Sequence, residues 1–343
     1  MKRIRRLLLA VAALTTVALG LSACGGSSDK NTLTVYSGRE EEIVAPLFAK
    51  FEAASGIKLD VRYGSSSELA AQLADEGDNS PADVFFAQDA GAIGSIVDRL
   101  APLPATALDR IPKRYRDPGG RWIGTSGRSR VVAYNTKALT AADLPDRVVD
   151  YTDKKYRGRL GIAPTNASFQ AFVTGMRLDI GDDKTRVFLN ALKANDPKIY
   201  PKNLPIVEAI ASGEIDLGLV NHYYLALLKA EQPDAPVANH FLTPGDPGAL
   251  VNVAGIGILT TSKKQDAAVK FVDYLLSDEG QRFYTTESAE SEYPLVAGVP
   301  GPAGLPPLAQ LQDGASVSDV KLSDLGKEER ATLEMLNEVG LTS

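Results

Sequence analysis

Leu33-Thr34-Val35-Tyr36-Ser37-Gly38-Arg39 reads as a strand that breaks at a polar turn, and the 22 residues after it complete the pattern. From Glu40 to about Ala54, Ile43, Val44, Leu47, Phe48 and Phe51 recur at helical spacing. Glu40, Glu41 and Glu42 load the first turn with the charge that suits a helix N-terminus. Ser55-Gly56 ends the helix, and Ile57-Lys58-Leu59-Asp60-Val61 alternates as a second strand. Strand, helix and strand within this span form a βαβ unit with a right-handed crossover. The fold class is therefore α/β, with ligand contacts expected at the carboxyl ends of the strands.

The same alternation continues outward. Gly64-Ser65-Ser66-Ser67 leads into a capped helix, and Ala82-Asp83-Val84-Phe85-Phe86-Ala87 forms a third strand ending at Gln88 and Asp89. Ser126-Gly127-Arg128-Ser129-Arg130 is a polar cluster before the apolar strand Val131-Val132-Ala133-Tyr134, and the chain is expected to cross there into a second lobe. In that lobe Leu160-Gly161-Ile162-Ala163 is a strand. The turn after it carries Asn166 and Ser168, either of which suits the cap of a helix whose free amides face an anion. Gly255 to Leu259 reads as a strand returning to the first lobe. The expected lobes are 32–128 with 254–303, and 129–253 with 304–343.

Ile215, Leu217 and Leu219 alternate as a buried strand, followed by Asn221-His222-Tyr223-Tyr224 and a helix beginning near Leu225. Two adjacent tyrosines thus stand where a strand hands over to a helix. A phenolate is a hard anionic oxygen ligand, and a bound cation can hold deprotonated a group otherwise neutral at physiological pH. Ferric iron best offsets that proton loss. The competing reading is two tyrosines that bury ring area and hydrogen-bond through their hydroxyls.

Lys2, Arg3, Arg5 and Arg6 precede an apolar run from Leu7 to Leu19 and a small-residue site, the pattern of an export signal. Leu21-Ser22-Ala23-Cys24 resembles a bacterial lipobox, in which Cys24 carries lipid after cleavage and anchors the chain to the outer face of the cell membrane. Cys24 is the only cysteine, which excludes an intrachain disulfide. Residues 24–31 then form a flexible tether. Four positive charges leave with residues 1–23, and the formal charge moves from −6 to −10, which argues against a nucleic-acid partner. About 310 residues remain, enough for two domains of roughly 100–200 residues.

Five stretches together carry a family resemblance over most of the mature chain: Val35-Tyr36-Ser37-Gly38, Pro81-Ala82-Asp83-Val84-Phe85, Ser126 to Val132, Asn221 to Tyr224, and Asp246-Pro247-Gly248-Ala249-Leu250. They resemble the ferric-ion substrate-binding proteins of ABC importers. The resemblance implies a two-lobed periplasmic-binding-protein-like fold, with hinge strands and a ligand cleft between the lobes. It implies a monomer that takes ferric iron or a ferric chelate to a permease and its ATPase subunits. Tyr223 and Tyr224 are then metal ligands. The first-lobe positions that hold a histidine and a glutamate in the best-described branch hold Glu40 and Gln88 here. Glu40 can still ligate through oxygen, a neutral Gln88 is a poor ligand for iron(III), and Asp89 lies beside it in the cleft region. A synergistic carbonate or phosphate is implied beside the metal, held by Asn166, Ala167, Ser168, Asn203 and Asn221, with Arg128 and Ser37 as further donors.

Two other readings compete. The same lobes can hold an oxyanion such as a phosphonate or phosphate, using Arg128, Ser37 and the 166–168 turn, with the tyrosines only lining the cleft. A secreted hydrolase is the third, and it has only His222 and His240 to serve as base. No Walker A loop, HExxH, GxGxxG or EF-hand pattern is present, so binding is favoured over catalysis.

Overall fold

A computed structural model describes residues 31–288, 290–312 and 320–342. The expected export signal, Cys24 and all of the tether except Asn31 lie outside these residues. The strands are β1 (Thr32–Ser37), β2 (Lys58–Tyr63), β3 (Val84–Ala87), β4 (Trp122–Asn135), β5 (Leu160–Ile162), β6 (Lys198–Ile199), β7 (Leu217–Asn221), β8 (Val237–His240), β9 (Val251–Ile258) and β10 (Tyr293–Pro294). They run in the order β2-β1-β3-β9-β4-β7-β5-β6, with β8 and β10 also paired to β4.

The βαβ unit forms as read. β1 and β2 are parallel, with Thr32 opposite Lys58. The helix Glu41–Ser55 between them buries Val44, Leu47, Phe48 and Phe51. Gly56 stops it at φ 70°, where its N–H reaches the Glu52 carbonyl, a left-handed position that suits glycine. β3 joins β1 in parallel, and β9 returns antiparallel to both β3 and β4. These strands and their helices enclose one core around Val35, Phe48, Phe85, Trp122, Ile256 and Phe271. Each such side chain contributes about 1.5–3 kcal/mol on burial.

β4 joins the lobes. Its residues up to Ser129 pair with β9, and from Arg130 onward it pairs with β7 and β8. The crossing anticipated near Ser126–Arg130 is thus made inside one continuous, fully buried 14-residue strand, and not by a polar turn before a new strand. A register shift between Gly124 and Ser126 kinks it just ahead of the crossing. Beyond it the strand faces two layers. Val132, Tyr134, Leu217 and Leu219 meet Phe169, Phe172 and Met176 of the helix Ala167–Ile180. Val131, Ala133 and Val220 meet Ile206, Val207 and Ile210 of the helix Asn203–Ser212.

The C-terminal segment departs from its expected place in the second lobe. Leu311, Leu322 and Leu325 pack into the first core. Met335, Leu336, Val339 and Leu341 pack into the second. The helix Leu322–Val339 is therefore shared, and residues 304–311 and 320–325 pack largely with the first lobe.

Candidate functional site

β7 ends at Asn221, and the helix Tyr224–Glu231 begins three residues later. The turn between them brings the Tyr223 and Tyr224 rings to 4.4 Å between centroids, and the Tyr223 hydroxyl donates to that of Tyr224 at 3.2 Å. Tyr223 is buried. Burial lifts its pKa well above the ordinary phenol value, and the neighbouring Tyr224 and Glu290 add to the rise. Burial raises Tyr224 as well, partly relieved by hydrogen bonds from Tyr223 and Asn203. Both phenols are neutral as they stand, and two oxygens this close are placed to chelate one cation. Among the described residues no group of three or more His, Cys, Asp and Glu forms a metal cluster.

His222 fixes the turn. Its Nδ1 accepts from the Ser129 backbone N–H at 3.1 Å, so the ring proton sits on Nε2, which donates to the Ser291 carbonyl at 3.1 Å. Asn239 donates to the His222 carbonyl at 2.8 Å. With both ring nitrogens taken by backbone groups, none is left to serve as a general base. His240 meets the Asp146 carboxylate at 3.1 Å.

On the second lobe, Asn166 caps the helix Ala167–Ile180. Its Oδ1 accepts from the Ser168 N–H at 3.0 Å, from the Ser168 hydroxyl at 2.7 Å and from Asn203 at 3.0 Å. Asn203 also donates to the Ser168 hydroxyl at 3.0 Å, and Arg130 does so at 3.2 Å. Ala167 is the first residue of that helix, and Asn221 lies opposite Arg130 across β4 and β7. Arg130 was quoted in the sequence motif without a role, yet it joins this cluster. It is buried with no carboxylate partner among the described residues, lies against the Phe169 and Phe172 rings, and burial depresses its pKa to about 10.

The first-lobe residues fare differently. Glu40 is exposed at the N-cap of the helix Glu41–Ser55 and makes no capping bond there. Gln88 is half-buried, its N–H donating to Ser66. The Asp89 carboxylate is taken by the Ala92 N–H at 2.9 Å as a helix cap. Ser37 is fully buried, and its hydroxyl is engaged with the Arg39 backbone, not with the Asn166–Ser168–Asn203 cluster. Arg128 pairs with Glu292 at 3.4 Å, leaving one buried guanidinium nitrogen, Nη2, without a partner among the described residues.

Arg39, Glu290 and Glu292 escaped the sequence reading. Arg39 is buried and bonds both carboxylates, the Glu292 contact at 2.9 Å. Ser126 donates to Glu292 at 2.6 Å. Burial opposes ionisation of Glu292, but Arg39 and Arg128 overcome it and hold its pKa low. No local periodicity marks these residues, since Glu292 meets Arg39 across 253 positions of chain. A cavity of about 720 Å³ lies elsewhere, lined by Lys113, Arg116, Asp117, Pro247 and Leu250, and contains none of these residues.

Two α/β lobes sharing a hinge strand, with a polar site where they meet, define a periplasmic-type binding protein. The chain belongs to the bacterial extracellular solute-binding protein family, whose model matches residues 67–307. It is similar to the major ferric iron-binding protein of Neisseria meningitidis serogroup B, at 34% identity over 90% of this chain and 93% of that one. The Fe(3+)-binding periplasmic protein of Serratia marcescens is 32% identical over 95% of each. The crystal structure of iron-bound HitA from Pseudomonas aeruginosa superimposes with a TM-score of 0.83 at 33% identity, covering 90% of this chain and 99% of that one. Membership in this family places the chain among exported binding proteins.

Proposed function

We propose that this chain captures ferric iron between its lobes together with a small anion and delivers it to an ABC importer. The observation that carries the reading is the pair of phenol oxygens 3.2 Å apart, in a chain whose relatives are named for ferric iron. Ferric iron replaces two phenol protons, so loading releases protons and weakens as pH falls.

The charge count supports the anion. Around the tyrosines, Arg39, Arg128 and Arg130 are buried with Glu290 and Glu292, one positive charge in excess. Ferric iron on two phenolates adds one more. A doubly charged carbonate or hydrogen phosphate cancels both, and Arg130, Ser168, Asn166 and Asn203 are the group to hold it. An oxyanion receptor is less favoured, because Arg128 is committed to Glu292 and Ser37 to the Arg39 backbone. Lipid on Cys24 would keep the monomer at the outer face of the membrane, beside the permease and its ATPase subunits. No catalytic step is part of this reading.

Visible absorption tests it. Chelated ferric iron added to the mature protein is expected to raise a phenolate-to-iron band that saturates at one equivalent and is absent from the Tyr223→Phe/Tyr224→Phe variant. A wild-type protein that stays colourless, yet is stabilised by phosphate or a phosphonate, would be an oxyanion receptor instead.

A further inference from the structure

We propose that Glu290 supplies the first-lobe carboxylate of the cation site, in place of the neutral Gln88; the inference rests on the ferric-iron reading above. Glu290 lies on the segment between the π-helical turn Phe283–Glu287 and β10, far in sequence from the strand ends where the first lobe was expected to contribute. That segment is docked on the tyrosine turn by three features. The Ser291 carbonyl accepts from His222, the residue immediately before Tyr223. The Tyr293 ring lies 4.9 Å from the His222 ring, centroid to centroid. Ser291 is at φ 49°, a left-handed conformation that is uncommon for a non-glycine residue and turns the chain sharply between Glu290 and Glu292.

The two carboxylates of this turn are not equivalent. Glu292 is completely buried and satisfied by Arg39, Arg128 and Ser126. Arg39 therefore already has a carboxylate partner, and Glu290 is a second acid on one guanidinium. Such a carboxylate, less fully engaged than Glu292, is free to take a second cationic partner. Burial raises the Glu290 pKa, Arg39 only partly opposes this, and Glu292 adds to it. Glu290 in turn acts electrostatically on both Tyr223 and Tyr224. A trivalent ion on the phenol oxygens brings a further positive charge to the side of the carboxylate that Arg39 does not cover. With it, two phenolates and one carboxylate neutralise ferric iron, and Arg39 orients the carboxylate from behind, as outer partners of metal ligands do.

Glu290→Gln and Glu290→Asp, compared with wild type, test the assignment by competition with citrate for ferric iron and by the position of the phenolate band. Both variants are expected to keep a band, because the tyrosines remain. Both are expected to bind iron at least about tenfold more weakly and to shift the band, because one ligand is lost or withdrawn by a methylene. Apoprotein melting temperatures near wild type or above it would show that the loss is not one of folding. Glu290→Asp carries the test if Glu290→Gln folds poorly. Wild-type affinity and an unshifted band in Glu290→Asp would overturn the proposal and leave Glu290 a counter-charge for Arg39. A wild-type protein with no band at all defeats the iron reading itself, a separate outcome.

Discussion

A neutral imidazole holds the tyrosine turn. His222 is almost fully buried, and burial pulls its pKa from 6.5 to about 4, against the opposing pull of the Ser291 carbonyl and of Glu292. The unfolded chain therefore takes up a proton at His222 between pH 6.5 and 4 that the folded apoprotein refuses. The stability this residue contributes is full above pH 6.5 and is lost as pH falls through 4, a difference of about 3 kcal/mol. Glu290, raised by burial, has the opposite slope, so the comparison must be between proteins that both keep it. Glutamine can accept from Ser129 and donate to Ser291 as the imidazole does, without titrating. In urea unfolding of the apoprotein, His222→Gln is expected to lose about 3 kcal/mol less than wild type between pH 7 and pH 4. Equal losses would mean that His222 is charged in the folded state. The histidine, the tyrosines and the Asn166 cap are all placed by short-range signals, a strand end and a helix start, and the sequence pointed to their positions. Partners were not legible in the same way. Arg128 and Arg130 look alike two residues apart on one strand. Only Glu292, 164 positions beyond Arg128, pairs with Arg128 and leaves Arg130 to the Asn166–Ser168–Asn203 cluster.

At the scale of elements, periodicity located the βαβ unit because each piece of it carries its own apolar face. It divided β4, because Ser126, Arg128 and Arg130 look like a loop until Glu292, the buried acid that engages the first two, is known. The helix Leu322–Val339 was misassigned for a related reason: its apolar stripe does not say which lobe it covers, and it covers both. Its close approach to the first lobe depends on Gly326. A Cβ there would stand 2.2 Å from the Gly91 carbonyl oxygen and 2.6 Å from the Ser95 nitrogen. Both atoms are backbone and cannot rotate away. Alanine would gain about 1 kcal/mol in helix propensity, yet the helix would have to lift from the Gly91–Ser95 segment. Gly326→Ala is expected to lower stability by about 1–3 kcal/mol net. Faster amide exchange should appear in Leu322–Thr332, while Met335–Val339 stays protected on the second core. A variant as stable as wild type would show that the contact yields cheaply.

At the scale of the whole molecule, β4, β9 and the shared C-terminal helix tie together two lobes that each have their own core. The proposed metal and anion positions are not independent within that frame. Asn203 contributes to the anion cluster and also hydrogen-bonds Tyr224, and Arg130 lies within electrostatic reach of both tyrosines. An anion that neutralises Arg130 removes a charge that opposes the incoming cation. A bound cation in turn attracts an anion held beside it. Each ligand should therefore favour the other, and linkage requires the two effects to be the same factor, commonly about 5–150-fold. Calorimetric titration of iron with and without carbonate, and of carbonate with and without iron, is expected to return one coupling factor in that range. Arg130→Met keeps the apolar contact with Phe169 and Phe172 but removes the charge. It should therefore bring the factor close to one while the phenolate band persists. A wild-type protein whose iron affinity is indifferent to the anion would mean that Arg130 is balanced by the tyrosinates alone, and that the two lobes close on the metal without a second ligand.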